Sequence, residues 1–242
     1  MGRAPALLAL VAALVAWYEV APHLGTVSLW RDVAIISLAV IPVLFGISLL
    51  LVPAWDSRLV PGVALLAILL AVGLWLLDLQ VPANFAKFAA VTAVAWLFLR
   101  YFEALSWVVL VACIIPWVDA YSVWRGPTHS ITTHHEAVFT RLSVAFVVPG
   151  HDVPARIGLP DVLFFSVFLA ASVRFRLRPR ATWLCMVASL GITISLTTFW
   201  SSGGLPALPG ISLGFLLPNI DLIWTRLRGT APAGSDRGVA LE

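Results

Sequence analysis

Two aspartates lie inside strongly apolar stretches of the chain. Asp119 falls in ACIIPWVDAYSVW and Asp161 falls in GLPDVLFFSVFLA. A charge within a bilayer is costly, so an ionisable residue in a membrane span usually marks a functional site. A pair of carboxyl groups can perform acid–base hydrolysis, in which the ionised group takes a proton from water and its protonated partner polarises a carbonyl. Since two close carboxylates cannot both ionise cheaply, we expect Asp119 and Asp161 to share one proton.

The composition indicates the environment in which these acids must work. The chain has 242 residues, of which 61% are hydrophobic and only 11% are charged, and its mean hydropathy is +0.99. Soluble domains carry about 25% charged residues. The sequence therefore predicts an integral membrane protein, and its net charge of +3 is assigned to membrane topology, with no nucleic-acid partner.

A membrane-spanning helix needs roughly 20 mostly apolar residues, and eight segments of the chain are candidates. They run approximately over 4–20, 33–52, 59–77, 83–99, 104–123, 159–175, 181–200 and 205–224. The predicted fold class is an all-α polytopic membrane protein with about eight helices, and a ninth is left open. Residues 1–103 would form N-terminal helices and 104–228 a catalytic bundle with a polar loop at 124–157, followed by a flexible tail at 229–242.

Basic residues predict the orientation, because cytoplasmic loops are enriched in Lys and Arg. With eight spans, ten basic residues fall on one side: Arg3, Arg58, Arg100, Arg174, Arg176, Arg178, Arg180, Arg226, Arg228 and Arg237. The other side receives five: Arg31, Lys87, Arg125, Arg141 and Arg156. We therefore expect a multi-pass protein of the cell membrane with both termini in the cytoplasm.

This topology brings the two acids to the same depth. The fifth span runs outward and reaches Asp119 about four residues before its end, and the sixth runs inward and reaches Asp161 about four residues after its start. At 1.5 Å per residue, both lie roughly 6 Å below the outer boundary. The segment GGLPALPG at 203–210 opens the last span from the same side. Three segments that are distant in sequence are thus expected to converge on one layer.

These three motifs, in this order, resemble the presenilin and signal peptide peptidase family of GxGD intramembrane aspartyl proteases. In that family one catalytic Asp lies on a helix, a second ends a G-x-G-D motif on the next helix, and a Pro-Ala-Leu motif begins the last helix. The resemblance covers roughly 104–224 and implies a presenilin-like fold, no metal or organic cofactor, and membrane-protein or signal-peptide substrates. It implies that Asp119 and Asp161 are catalytic, and the remaining expected site residues bind substrate: Gly158, Leu159, Pro160, Pro206, Ala207, Leu208, Tyr121, Val144 and Phe146.

The chain departs from the family pattern at three points. Val118 precedes Asp119 where the family has Tyr, and the nearest tyrosine is Tyr121. Pro160 occupies the second glycine position of G-x-G-D, where proline fixes φ and removes an N–H donor, although the first turn of a helix tolerates it. Four predicted spans precede Asp119, one fewer than in nine-helix members of the family.

Substrate cleavage within a membrane requires the substrate helix to unwind, and the freed backbone groups then need partners. The segment RLSVAFVVPG at 141–150 has the β-branched and aromatic content of a short strand. We expect this segment, which contains Val144 and Phe146, to pair with the extended substrate as a sheet edge.

Other functions remain open on these residues. A prepilin-type peptidase also uses a GxGD aspartate, but the Pro-Ala-Leu segment and the depth of both acids argue against it. A catalytically impaired relative could bind membrane helices, and a transporter could use the acids for protons. The segment with His129, His134, His135 and Glu136 lacks the one-turn spacing of a zinc-binding helix and is predicted to be a solvated loop. Cys113 and Cys185 lie in apolar spans and imply neither a disulfide nor a metal site.

Overall fold

The computed structural model describes residues 3–25, 28–125, 142–149, 154–200 and 205–229. Within these ranges the eight predicted apolar segments are helical. The helices are α1 Arg3–Val20, α2 Leu29–Ile35, α3 Ile41–Leu51, α4 Val60–Leu76, α5 Gln80–Leu99, α6 Leu105–Arg125, α7 Leu159–Arg174, α8 Pro179–Trp200, α9 Leu208–Leu216 and α10 Ile220–Gly229. Two strands, β1 Ser143–Phe146 and β2 Ala155–Gly158, form an antiparallel hairpin.

Six helical segments in the described part of the chain are long and apolar enough to cross a membrane: Arg3–His23, Leu29–Ala54, Gln80–Leu99, Leu105–Arg125, Pro179–Phe199 and Leu208–Gly229. The helix α4 is apolar but has only 17 residues, and α7 has 16. The prediction of a helical, multi-pass membrane protein is therefore confirmed. The expected number of eight or nine crossings stays a prediction.

Two of these segments consist of two α-helices joined by a turn of another helix type. A π-helical turn, Ile36–Val40, connects α2 to α3, and a 3₁₀ turn, Leu217–Asn219, connects α9 to α10. Pro42 and Pro218 lie at these joints. Proline cannot donate the backbone hydrogen bond of a regular α-helix and its ring crowds the preceding turn, so the helix adopts a wider or tighter turn beside it.

The helix α7, which carries Asp161, contains an unbroken run of buried residues from 165 to 172. Its buried residues lie on all sides of the helix: Val162, Phe165, Ser166, Val167, Phe168, Leu169, Ala170, Ala171 and Ser172. Phe165 packs on Phe45 of α3 with ring centroids 4.0 Å apart, and Phe168 stacks on Phe215 of α9 at 4.9 Å. A helix that is apolar all round is held in the interior of its bundle. Neighbouring helices therefore surround the helix that presents Asp161.

Helices α8 and α9 approach each other closely at a glycine. A Cβ atom built on Gly214 would lie 2.7 Å from the backbone nitrogen of Met186. Nearby, a Cβ on Gly210 would lie 3.1 Å from the Cβ of Ser189. Small residues at helix crossings let membrane helices pack closely. The position of α9, and of the Pro-Ala-Leu segment that precedes it, therefore depends on the glycine at 214.

Polar contacts fasten the joint between α9 and α10 to the start of α8. The side chain of Asn219 is fully buried, and its amide nitrogen donates to Thr182 Oγ1 and to the carbonyl oxygen of Phe215, both at 2.7 Å. Its Oδ1 accepts from the backbone N–H of Arg178 at 2.9 Å. The guanidinium of Arg178 also forms a bidentate pair with Asp221 at 2.7 and 2.6 Å, and these bonds raise the pKa of Arg178. Asp221 thus has a structural partner and takes no part in the site described below.

We expect Asn219→Ala to lower the free energy of unfolding by about 1–3 kcal/mol, the cost of leaving buried partners without hydrogen bonds. Thermal denaturation in detergent, followed by circular dichroism, measures the change. Gln80→Ala is the control, because Gln80 hydrogen-bonds Asp78 in an exposed position, where a substitution is usually worth less than about 0.5 kcal/mol. Equal transition temperatures for the two variants would contradict the prediction.

Candidate active site

Asp119 projects from α6 six residues before the helix ends at Arg125. Its Oδ2 accepts a hydrogen bond from the backbone N–H of Leu208 at 3.0 Å, and the backbone N–H of Ala207 also donates to the carboxylate. Ala207 and Leu208 belong to the Pro-Ala-Leu segment and lead into α9. Two backbone donors at a helix start stabilise a negative charge. The third sequence motif therefore binds the carboxylate of the first.

Asp161 is the third residue of α7, and Gly158 is the N-cap residue of that helix. The backbone N–H of Gly158 donates a hydrogen bond back to the carboxylate of Asp161. An acidic side chain at the third helical position commonly bonds the N-cap N–H in this way, as in one half of a capping box. The short local loop from Gly158 to Asp161 thus holds the second carboxylate at the end of β2.

The two carboxyl groups belong to one site. The helices α6 and α7 bring the two carboxyl groups close enough for the charge of Asp119 to act on Asp161. Each carboxylate has a backbone donor from a different segment: Leu208 for Asp119 and Gly158 for Asp161. In this structure, the three segments that were expected to converge are neighbours.

The local geometry accounts for the glycine and the proline of the GLPD motif. Gly158 has φ −62°, so it does not need the backbone freedom of glycine. Instead, a Cβ at this position would lie 3.2 Å from Oδ2 of Asp161, which is closer than most Cβ contacts allow. Pro160 is the second residue of α7, where the helix has no use for its backbone N–H. Proline therefore fits the local geometry at position 160.

The predicted strand within 141–150 is present as β1, and it pairs with β2, which leads directly into α7. The register places Val144 opposite Ile157 and Ala145 opposite Arg156. Val144 and Phe146 are only 2% and 1% exposed, and both contribute to the main hydrophobic core. Their side chains anchor the hairpin in the core. The prediction that Val144 and Phe146 contact a substrate through their side chains is therefore wrong.

The hydrogen-bonding pattern of the hairpin shows which backbone groups face outward. The N–H of Leu159 donates to the carbonyl oxygen of Leu142 at 3.0 Å, so this pair and every second pair after it are bonded across the hairpin. The pairs between them, Ser143 with Gly158 and Ala145 with Arg156, turn their backbone groups away from the partner strand. Each strand therefore has an outer edge whose backbone groups do not bond the other strand.

Side chains from α1 and α5 occupy the outer edge of β1. Lys87 Nζ donates to the carbonyl oxygen of Ser143 at 3.0 Å, and the N–H of Ala145 donates to Asn84 Oδ1 at 3.4 Å. The hydroxyl of Tyr18 donates to the carbonyl oxygen of Ala145. Beyond the strand, Trp17 Nε1 donates to the carbonyl oxygen at 147 at 3.1 Å. This edge has no room for a substrate strand.

The outer edge of β2 is different. The backbone groups of Arg156 that point away from β1 have no hydrogen-bond partner in the part of the chain that the structure describes. This edge ends at Gly158, whose N–H binds Asp161. The edge that could accept an added strand therefore lies on β2 and leads to the carboxyl pair, and not on the predicted segment 141–150.

The contacts of Asn84, Lys87 and Tyr18 with β1 were not predicted from the sequence. Asn84 and Lys87 are three residues apart in an apolar span, which places them on one face of α5. Polar residues on one face of a membrane helix usually meet polar groups inside the protein. This spacing was a signal for a buried contact, but it could not identify the strand as the partner.

The other predicted site residues differ in how far they are exposed. Leu208 is buried, whereas Leu159, Pro206 and Ala207 are partly exposed, and Tyr121 is 66% exposed on α6. The histidine-rich segment at 129–136 lies outside the described residues, as does most of the predicted polar loop and of the tail after 229. Among the described residues, no group of three His, Cys, Asp or Glu side chains could hold a metal ion.

Asp119 and Asp161 thus form a carboxyl pair that is held by backbone donors and lies beside a strand edge with no hydrogen-bond partner among the described residues. Such a pair can take a proton from water and hydrogen-bond a carbonyl oxygen at the same time. No protein-family model, curated protein or solved structure matches the chain.

Proposed function

We propose that the chain is an intramembrane aspartyl endopeptidase of the presenilin and signal peptide peptidase type, with Asp119 and Asp161 as its catalytic pair. The observation that carries the proposal is the interaction of these two carboxyl groups, which come from separate apolar helices. Backbone donors from Leu208 and Gly158 hold them in place. An ion-pair network or a helix cap would need only one of the acids, whereas hydrolysis needs both.

In the proposed reaction the pair carries one proton. The ionised member takes a proton from a water molecule, which attacks the carbonyl carbon of the substrate, and the protonated member donates to the carbonyl oxygen. The resulting tetrahedral intermediate collapses when the amide nitrogen receives a proton and the C–N bond breaks. The shared proton belongs to the pair, so neither role is assigned to one of the two residues.

The substrate is proposed to bind as an added strand on the outer edge of β2. An unwound membrane segment loses its internal hydrogen bonds, and the edge that includes Arg156 offers replacements. The edge continues to Gly158, so a strand bound there would extend toward Asp161. Leu159 and Pro160 on one side, and Pro206 and Ala207 on the other, would flank the scissile bond.

The proposed substrates are membrane proteins or remnant signal peptides. The excess of basic residues on the side of both termini favours a cytoplasmic location for the termini, with the loop between the aspartates outside. Signal peptide peptidases have this orientation, and presenilin has the opposite one. Substrates with their N-termini in the cytoplasm would therefore enter in the productive direction.

The proposal is tested with the purified protein in liposomes and a model transmembrane peptide, with the products identified by mass spectrometry. Cleavage within the apolar segment of the peptide is the expected result. If the folded protein leaves a panel of such peptides intact between about pH 4 and pH 8, a range that spans the titration of perturbed carboxyl pairs, the protease proposal is wrong.

A second candidate is a catalytically impaired member of the family that binds membrane helices, or a proton-coupled transporter. The observation that favours it is Pro160, which stands at the position of the second motif glycine. Proton flux through liposomes that is lost in Asp119→Asn, without any peptide cleavage, would favour the transporter.

Replacing Pro160 with glycine separates these candidates. Since Pro160 fits the first turn of α7, we expect Pro160→Gly to lower stability by about 0.4–1 kcal/mol through the greater freedom of the unfolded chain. Cleavage should be retained, because glycine can also adopt the backbone angles of the first helical turn that carries Asp161. Steady-state cleavage and thermal denaturation measure the two effects. Cleavage that appears only in Pro160→Gly would instead show that the natural chain is impaired, and Pro160→Gly combined with Asp161→Asn is the inactive control.

A further inference from the structure

Two basic side chains lie together beside the proposed substrate edge. Lys87 Nζ reaches the backbone of β1 at Ser143, and the charges of Lys87 and Arg156 are close enough to repel each other. Arg156 lies opposite Ala145, one pair along from Ser143. The hairpin register and the reach of α5 thus concentrate positive charge at one point of the hairpin.

Neither cation has a carboxylate partner in the described part of the chain. Arg156 is only partly exposed and makes no ion pair with a described residue. Among the described residues, neither Asp119 nor Asp161 forms an ion pair with Arg156. Two like charges held together in a partly buried position carry an electrostatic cost, and an anion that binds there would reduce this cost.

The position of Arg156 indicates which anion would bind. Arg156 precedes Gly158 by two residues on β2, which corresponds to roughly 7 Å along a strand, and Gly158 binds the carboxylate of Asp161. A substrate strand paired with β2 would therefore place a side chain beside Arg156 about two residues from its scissile bond. The anion that arrives with each substrate is a side-chain carboxylate at that position.

We propose that Arg156, with Lys87 beside it, is a specificity-determining residue that selects substrates with a Glu or Asp about two residues from the cleaved bond. This inference rests on the proposed function and names a substrate class for the same site. Lys87 positions β1 through Ser143 and adds to the positive potential, whereas Arg156 contacts the substrate side chain.

The test uses model transmembrane peptides that differ only in having Glu, Gln or Lys two residues from the cleavage site, on either side of it. Zwitterionic liposomes exclude anionic lipid as a competing partner. For the natural protein we expect kcat/KM to decrease from Glu to Gln to Lys, with a difference of about tenfold between Glu and Lys, as for a partly exposed charge pair. Arg156→Glu should reverse the order, Arg156→Gln should remove it, and Arg156→Lys should retain it.

Arg31→Glu is the matched control, because it makes the same charge change at an exposed residue near the start of α2. It should leave the preference unchanged. If Arg156→Glu lowers the cleavage of all three peptides equally, Arg156 has a structural role and the inference is wrong. Cleavage by the natural protein without any preference would also overturn this inference and leave the proposed function intact. If the natural protein cleaves none of the peptides, the proposed function fails, and this inference fails with it.

Discussion

Replacing either Asp119 or Asp161 with asparagine is expected to abolish cleavage of a transmembrane peptide. Asparagine keeps the shape of the side chain and can still accept a hydrogen bond from Leu208 or from Gly158, so the protein should fold. It cannot take a proton from water or donate the shared proton. We expect the rate to fall by about 10³-fold or more, near the upper end of what acid–base groups contribute. Mass spectrometry of peptide products under single-turnover conditions measures the loss.

The combined variant, Asp119→Asn with Asp161→Asn, should be no slower than either single variant, because residues that act as one unit are not additive. Asp78→Asn is the control. Asp78 lies between α4 and α5 with φ 59°, a conformation that asparagine also tolerates, so full activity is expected. A single variant at 119 or 161 that retains half of the natural rate would be incompatible with a catalytic pair.

The second large effect is expected at the crossing of α8 and α9. The added Cβ of Gly214→Ala would lie 2.7–2.9 Å from backbone atoms of Cys185 and Met186, and backbone atoms cannot move aside as a flexible side chain can. The helices must separate, and overpacking of this kind costs typically 1–3 kcal/mol. Because α9 begins at Leu208, whose N–H binds Asp119, we expect cleavage to fall together with stability.

Gly73→Ala is the matched control for this prediction. Gly73 also lies within a helix, α4, but a Cβ there would have no atom within 4 Å. Alanine is favoured over glycine inside a helix by roughly 0.5–1 kcal/mol, so Gly73→Ala should be neutral or stabilising. Thermal denaturation and peptide cleavage of both variants provide the comparison. A Gly214→Ala protein as stable as Gly73→Ala would mean that α8 and α9 do not cross so closely.

The local properties of the site could be read from the sequence. Hydropathy over about 20 residues reports whether a segment can be a membrane helix, and it located all eight helical segments. The depths of Asp119 and Asp161 followed from helix rise and alternating direction, so their convergence could be expected. The β-branched and aromatic content at 141–150 indicated the strand. Each of these inferences depends only on residues that are neighbours along the chain or on the constant rise per residue of a helix.

Local patterns also left the helix interruptions at Ile36–Val40 and Leu217–Asn219 unpredicted. These turns depend on how a proline is accommodated among neighbouring helices, and hydropathy averages over that detail. The number of membrane crossings depends on the same packing detail. The helix α7 has 16 residues and is surrounded by protein. Its length therefore depends on packing within the bundle as well as on the thickness of a bilayer.

The sequence by itself determined the class of the protein, the chemistry that its two apolar aspartates could perform, and the local elements that carry them. Only the tertiary structure decided which strand edge is covered. The expected edge on β1 is occupied by Tyr18, Asn84 and Lys87, whereas the outward backbone groups of Arg156 on β2 have no hydrogen-bond partner among the described residues. Hydropathy and helix rise are properties of neighbouring residues, whereas the partner of a backbone N–H or C=O depends on which helix packs beside it, and that follows from the lateral arrangement of the whole bundle.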